Sequence, residues 1–413
     1  MAHLLIVDLP GGNDTDIVQA AVARGDTFTF LTSDYSLYAQ QPEVLDWVKL
    51  AAQLIEVPGF AYAEVASKVL HRHHQCPIDA VLCLLDIRLI DSAKLASELK
   101  LPHLNVSSAH LLRDKYAVRQ RLAERGVSQK AYQLASSNQE LIQAVELLGL
   151  PVLIKPVDGY GSQNIVVLQD PEDLMPWMTP LNDMLPSHAD YGLGVKANDR
   201  LVVERFMKGQ IVGCDTVTIN GQHQLLGVNE KLFFEPPSFA IEGGCFIPNE
   251  GQFSVLEAYV QSLLDAVDFD WGYAHIEIML TPEGPFVIEI NPRLVGAKIA
   301  RLVSMALGVS VHQHLIELHL GHETFLTPEK AGQIAVSRWV VSEHIGILDQ
   351  VILPDTNDPR IRTVDILKKK GDAVRPPFEN SDRIGYVMTC AASQKEAEWL
   401  AKDFIAHCHC VLT

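Results

Sequence analysis

The stretch FVIEINPRLVGAKI (286–299) delivers a carboxylate, an amide and a guanidinium at alternate positions, Glu289, Asn291 and Arg293, at the end of an apolar run. Just upstream, YAHIEIML (273–280) is separated from FVIEIN (286–291) only by TPEGP, the pattern of an antiparallel hairpin. Pairing Leu280 with Phe286 sets Glu277 opposite Glu289 and His275 opposite Asn291 on one sheet face. Ala274, Ile276, Ile278, Ile288 and Ile290 then form the core face. Two directly opposed carboxylates repel, so this face is either simply solvated, with Arg293 as counter-charge, or built to hold a cation. Glu277, Glu289 and Asn291 are oxygen ligands suited to Mg²⁺, with phosphate oxygens completing the octahedron. Arg293 is then placed to neutralise a transferring phosphoryl group or an acyl phosphate.

A phosphate-bearing ligand needs a grip, and G-x-x-x-x-G-K-[ST] occurs nowhere in the chain. VLIKPVDGYGSQNI offers another: Lys155 ends an apolar strand, and Gly159, Gly161 and Ser162 follow in a loop whose N–H groups can close over phosphate. Lys115, in RDKYAV near a helix start, reads in isolation as a solvated lysine, with a second phosphate contact as the alternative.

The elements that must position these groups follow from the pattern. HLLIVD (3–8), DTFTFLTSD, AVLCLLD (80–86) and HLNVS (103–107) read as strands alternating with helices, predicting a doubly wound parallel sheet over residues 1–108. GGNDTD lacks G-x-G-x-x-G spacing, which argues against a dinucleotide site. Ser107 and Ser108 are the expected cap of one helix through AHLLRDKYAVRQRLAERG, stopping at Gly126. Beyond lie a helix (SNQELIQAVELLG), two strands around the glycine loop, the strand DRLVVERFMKGQ, and a meander turning at Asn220-Gly221. A loop, FFEPPSFAIEGGCFIPNEG, precedes a helix over about 252–267, and residues 326–413 suggest short strands with one helix, SQKEAEWLAKDFIAH. The expected divisions are 1–108, 109–200, 201–325 and 326–413.

The whole chain sets bounds. Hydrophobic residues at 48% and charged residues at 20% supply real cores, and 413 residues suggest several domains. A formal charge of −18 disfavours nucleic acid and anionic membranes and leaves small molecules as expected partners. No apolar run is long enough to span a bilayer, and MAHLLIVDLPGG lacks a basic leader region, so a soluble cytoplasmic protein is expected. Seven scattered cysteines do not form a disulfide framework, and HCHC (407–410) reads as a terminal strand with histidines and cysteines on opposite faces. Oligomeric state is not legible, although homodimers are commonest.

Taken in order, RDKYAVRQRLAERGV, VLIKPVDGYGSQNI, VVERFMKG, HIEIML and VIEINPR resemble the ATP-grasp superfamily over about residues 1–320. The resemblance implies an N-terminal α/β domain, two α+β subdomains that clamp ATP, and a small C-terminal α+β subdomain. It implies phosphate contacts from Lys115 and Lys155, which reverses the isolated reading of Lys115. It also implies an adenine-contacting hinge at Glu204, Arg205 and Phe206, and Mg²⁺ or Mn²⁺ on Glu277, Glu289 and Asn291. NEKLFFEPPSFAIEGGCFIP resembles carboxylate-amine ligases that join amino acids, with Lys231 catalytic beside Arg293, and Glu242, Arg293 and Gly296 at the substrate. The sequence departs from that pattern at Cys245, where a histidine is usual, and at Ile211, where a ribose-binding glutamate is usual; Asp215 is the candidate substitute. The implied activity is ATP-dependent C–N ligation between small carboxylate and amine substrates, in peptide natural-product synthesis. Its competitors are carboxylation through carboxyphosphate and non-catalytic ATP binding.

Overall fold

The computed structural model describes residues 1–12, 14–159, 165–173, 193, 199–234, 240–296, 298–329, 332–355, 357–378 and 380–413. The N-terminal region is a four-stranded sheet of β1 (His3–Val7), β2 (Thr27–Thr32), β3 (Gln53–Glu56) and β4 (Ala80–Cys83) in the order β3-β2-β1-β4, all parallel. HLNVS is not a strand: Asn105 accepts a hydrogen bond from Ser108 N and starts a helix, Val106–Leu112. A second sheet holds β5 (Tyr132–Ala135), β6 (Val152–Pro156), β7 (Val166–Leu168) and β8 (Leu201–Arg205), ordered β5-β8-β6-β7 and antiparallel at each pairing.

The largest sheet collects β9 (Gln210–Ile219), β10 (Gln222–Phe233), β11 (Ile241–Pro248), β12 (Trp271–Thr281), β13 (Gly284–Asn291) and β14 (Ile334–Val340). With β15 (Gly346–Ile352), β16 (Ile361–Ile366), β17 (Ala373–Val374), β18 (Gly385–Ala391) and β19 (His409–Leu412) defined, its order is β13-β12-β9-β10-β11-β14-β18-β16. The last segment of the chain therefore extends this sheet, while β17-β15-β19 form a small separate one. β11 lies inside the stretch read as loop; its flanking prolines and paired glycines hide a strand that β10 and β14 sandwich. β19 presents His409 to solvent and sets Cys410 against a small core with Leu348 and Ile384.

One face of the large sheet, with Val212, Cys214, Ile276, Ile278 and Ile290, packs on the helix Ser254–Ala266. The other is divided. Toward one end, Val217, Ile219, Trp271 and Tyr273 join the helices Ile299–Leu307 and Val311–His319 and the N-terminal strands in one continuous core. Toward the other end the face carries the polar residues of the site. No single helix among the described residues is long and apolar enough to cross a membrane.

Candidate active site

The hairpin forms with Glu277 opposite Glu289 and His275 opposite Asn291, as the alternation requires. The Leu280–Phe286 pairing used to infer this register does not occur: Met279 faces Phe286, because a bulge between Glu277 and Ile278 leaves Ile288 without a partner residue. The bulge moves Ile288 out of the core, where Val287 takes its place, and turns its carbonyl toward two cations. Arg119 Nη2 donates to Ile288 O at 2.8 Å and Lys155 Nζ lies at 3.5 Å from it.

Each carboxylate of the opposed pair has its own ammonium. Lys231, from β10, is paired with Glu277, and Lys115 Nζ lies 2.7 Å from Glu289. Burial alone raises the Glu277 pKa; Lys231, His275 and Arg293 outweigh it and hold the carboxyl below its usual range. Lys115 is not a solvated lysine. The expected single helix breaks at Arg113, and Asp114 caps a second one, Lys115–Glu124, by accepting from Ala117 N. Lys115 thus starts a helix at the sheet, with its ammonium also donating to Gly159 O. Gly159 and Glu289 meet at this side chain. Gly161 and Ser162 lie outside the described residues.

Lys155 is buried and its ammonium lies 3.1 Å from Glu204. Glu204, fully buried on β8, also meets Arg119 at 2.8 Å and Lys130 at 2.8 Å. Burial would raise the Glu204 pKa, yet the three cations depress it well below the carboxylate range. Lys155 is lowered to about 8, by burial first and then by the neighbouring cations, with Glu204 opposing. At the end of β8, Arg205 N donates to Ala131 O and Phe206 N to Pro151 O, so these two N–H groups of the expected hinge are committed within the fold. The Glu204 side chain is likewise committed to its cations.

Asp215 is not available for a ribose. It is buried, receives a hydrogen bond from Asn229, and lies 2.9 Å from His275 Nδ1. Its role is to orient His275, whose Nε2 reaches to 3.9 Å from Glu277. Gly213 permits this: a Cβ there would stand 2.3 Å from His275 Cε1. Sequence reading missed Gly213, Asn229 and the ordering role of Asp215, because cross-strand neighbours on β9 and β10 carry no signal along the chain. Glu242 is the extra residue of another bulge, and its carboxylate lies 3.9 Å from Arg338, with no contact to Arg293 among the described residues. Cys245 is buried in the core under the helix Gln394–Ala406, facing away from Gly244, which pairs with Lys231.

Arg293 Nε donates to Asp86 at 2.9 Å, and Nη2 donates to the same carboxylate, so the exit of β13 is tied to the N-terminal region. Burial disfavours the charge on Arg293, but Asp86 more than compensates and raises its pKa; Arg293 in turn lowers that of Asp86 against burial. Gly296 lies beside this guanidinium: its Cβ position is 4.0 Å from Nη1.

The donor set fits a hard divalent cation. Glu277 and Glu289 supply two opposed carboxylates, and the buried Asn291 amide has no hydrogen-bond partner among the described residues. Oxygen-only ligation of this kind suits Mg²⁺.

The ATP-grasp domain model matches residues 148–301, and that of the L-amino acid ligase C-terminal domain 2 matches 338–413. Over 318 residues the chain is 28% identical to the uncharacterized protein y4rH of Sinorhizobium fredii (strain NGR234), covering 74% of this chain and 62% of that one. Over 219 residues it is 25% identical to dapdiamide A synthase of Enterobacter agglomerans, covering 52% and 50%. The match thus leaves more than a third of each relative's length uncovered. Among solved structures, the L-amino acid ligase from Bacillus licheniformis superposes with a TM-score of 0.77 at 20% identity, covering 100% of this chain and 99% of that one. The fold is that of the ATP-grasp proteins. Residues 148–301 match an ATP-grasp domain, and residues 338–413 match the C-terminal domain 2 of the L-amino acid ligases.

Proposed function

We propose that this chain is an ATP-dependent carboxylate-amine ligase that forms an amide through an acyl phosphate, joining an amino acid to an amino acid or modified amino acid, as peptide natural-product synthesis requires. The observation that carries the reading is the opposed pair Glu277–Glu289, each carboxylate matched by a lysine and the strand running on into Arg293. A carboxylate is a poor electrophile, and transfer of the γ-phosphoryl of ATP turns its oxygen into a leaving group. The amine then attacks the carbonyl and expels phosphate, so the products are amide, ADP and phosphate.

Positioning and charge neutralisation are the protein's share of such chemistry. Lys115 and Lys155 hold phosphates, and Lys231 steadies the transferred group. Arg293 stabilises the acyl phosphate and the oxyanion formed when the amine adds. Glu277, Glu289 and Asn291 would hold Mg²⁺, which when bound neutralises phosphate charge. The backbone at Arg205 and Phe206 would meet the adenine edge through groups other than their N–H donors, which are committed within the fold. ADP release measured against panels of amino acid pairs, with amide products read by mass spectrometry, tests the reading. The expected result is pair-dependent ADP release that Glu289→Ala abolishes; release that depends on bicarbonate instead would assign carboxylation.

A further inference from the structure

Beside Arg293 lies a cavity of about 350 Å³ where three parts of the chain converge. Pro10, Gly11, Asp14 and Leu84–Asp86 line it from the N-terminal domain, Arg293–Gly296 and Lys298 from the exit of β13, and Trp339, Leu367, Arg383 and Tyr386 from the C-terminal segment. Its charges do not balance. Asp86 is committed to Arg293, and Asp14 lies 2.8 Å from Lys298. The remaining cation, Arg383, has no carboxylate partner among the described residues. Its neighbour Asp382 pairs with Arg375 at 2.6 Å, and the Arg383 Nε donates to the Asn380 carbonyl at 2.8 Å. The guanidinium lies 4.0 Å from the centroid of the Trp339 ring, which Tyr386 meets edge-on at 5.3 Å. A partly buried guanidinium over an indole ring is held in place and keeps its Nη donors for a planar anion. Burial, with no carboxylate to offset it, lowers the Arg383 pKa to about 10, still charged at neutral pH.

From this cavity we infer that Arg383, stacked on Trp339, anchors the carboxylate of the amine-bearing substrate, whose side chain rests against Leu84, Leu294, Val295 and Trp339. The inference rests on the ligase reading and names the second substrate's class: a single amino acid with a free carboxylate. The carboxylate that is activated is consumed next to the phosphates, so it cannot also be the anion held by Arg383. The amine donor's own carboxylate survives the reaction and becomes the new C-terminus. The cavity volume sits at the small end of ligand pockets, roughly 300–1,000 Å³, which suits one amino acid better than a peptide.

The test compares free amino acids with their primary amides as amine donors, in the full-length wild type, Arg383→Gln and Arg383→Lys. The wild type should use the acid at least about tenfold better than the amide, the modest end for a charge-assisted bond. Arg383→Gln should erase that preference through the KM of the amine donor, and Arg383→Lys should restore part of it. Equal use of acid and amide by the wild type overturns the inference, as does an effect of Arg383→Gln on the KM of the activated acid instead. Thermal shift with the same acids and amides, in the presence of Mg²⁺ and a non-hydrolysable ATP analogue, reads the anchor without turnover. Acid-selective stabilisation that Arg383→Gln abolishes supports it even if no pair is ligated and the ligase reading falls. Equal stabilisation by acid and amide, or none by either, overturns it.

Discussion

Lys155 is the residue whose environment most constrains behaviour in solution. Buried among Arg119, Lys130 and Lys115, it titrates near 8, where a free lysine titrates at 10.5. Phosphate binding needs the ammonium, which is present below about 8 and lost as pH rises through that value. The KM for ATP should therefore be flat at neutral pH and climb above about 8, while Lys155→Arg, charged throughout, should show no such rise. The stability effect has the opposite sense. Between the folded value near 8 and the unfolded one, the unfolded chain binds more protons, so this group makes unfolding harder as pH rises through that window. A KM for ATP that ignores pH in the wild type would remove Lys155 from phosphate binding. The residue-level motifs were readable because types and spacing sit on one strand; the buried company of Lys155 was not, since Arg119 arrives from a helix, Lys130 from a loop and Glu204 from β8.

Among the elements, the hairpin was legible because a period of two sorts Glu277 and Glu289 from the isoleucines, and a one-residue error at its turn end leaves the site end unaffected. The bulge at Ile288 was not legible: nothing in VIEIN marks which residue is extra. The break between Val106–Leu112 and Lys115–Glu124 carried a clue in Asp114, a good cap three residues before Ala117, yet the continuous helical pattern around it overrode that signal. β11 was missed because strands that pack tightly can contain glycine; a Cβ at Gly243 would stand 2.1 Å from Ser337 O. β8 carries the strongest energetic consequence. Glu204→Gln leaves Arg119, Lys130 and Lys155 facing one another in a buried cluster, and removing one partner of a buried ion pair costs about 3–5 kcal/mol. Denaturant unfolding should show a loss of that size, and a loss below about 1 kcal/mol would mean that the cluster is hydrated and contributes little.

At the scale of the whole molecule, the N-terminal sheet and the large sheet share one core through the helices Ile299–Leu307 and Val311–His319, and the Asp86–Arg293 pair bridges the same two bodies. The sequence signalled the N-terminal sheet and the hairpin separately but not their joint, because Asp86 and Arg293 stand 207 positions apart. Asp86→Asn keeps an acceptor for Arg293 but removes the charge that holds it; it should cost some stability and lower kcat/KM by about tenfold, or about 1.4 kcal/mol in the barrier, with the KM for ATP near its wild-type value. Unchanged kcat/KM would make the bridge purely architectural. The central claim is that a substrate carboxylate is phosphorylated before an amine takes it. The most direct measurement gives the wild-type protein an acid labelled with ¹⁸O in both carboxylate oxygens, together with ATP, Mg²⁺ and an amino acid. One labelled oxygen should appear in phosphate for every amide formed, the other remaining in the amide; unlabelled phosphate, or AMP in place of ADP, would contradict the account.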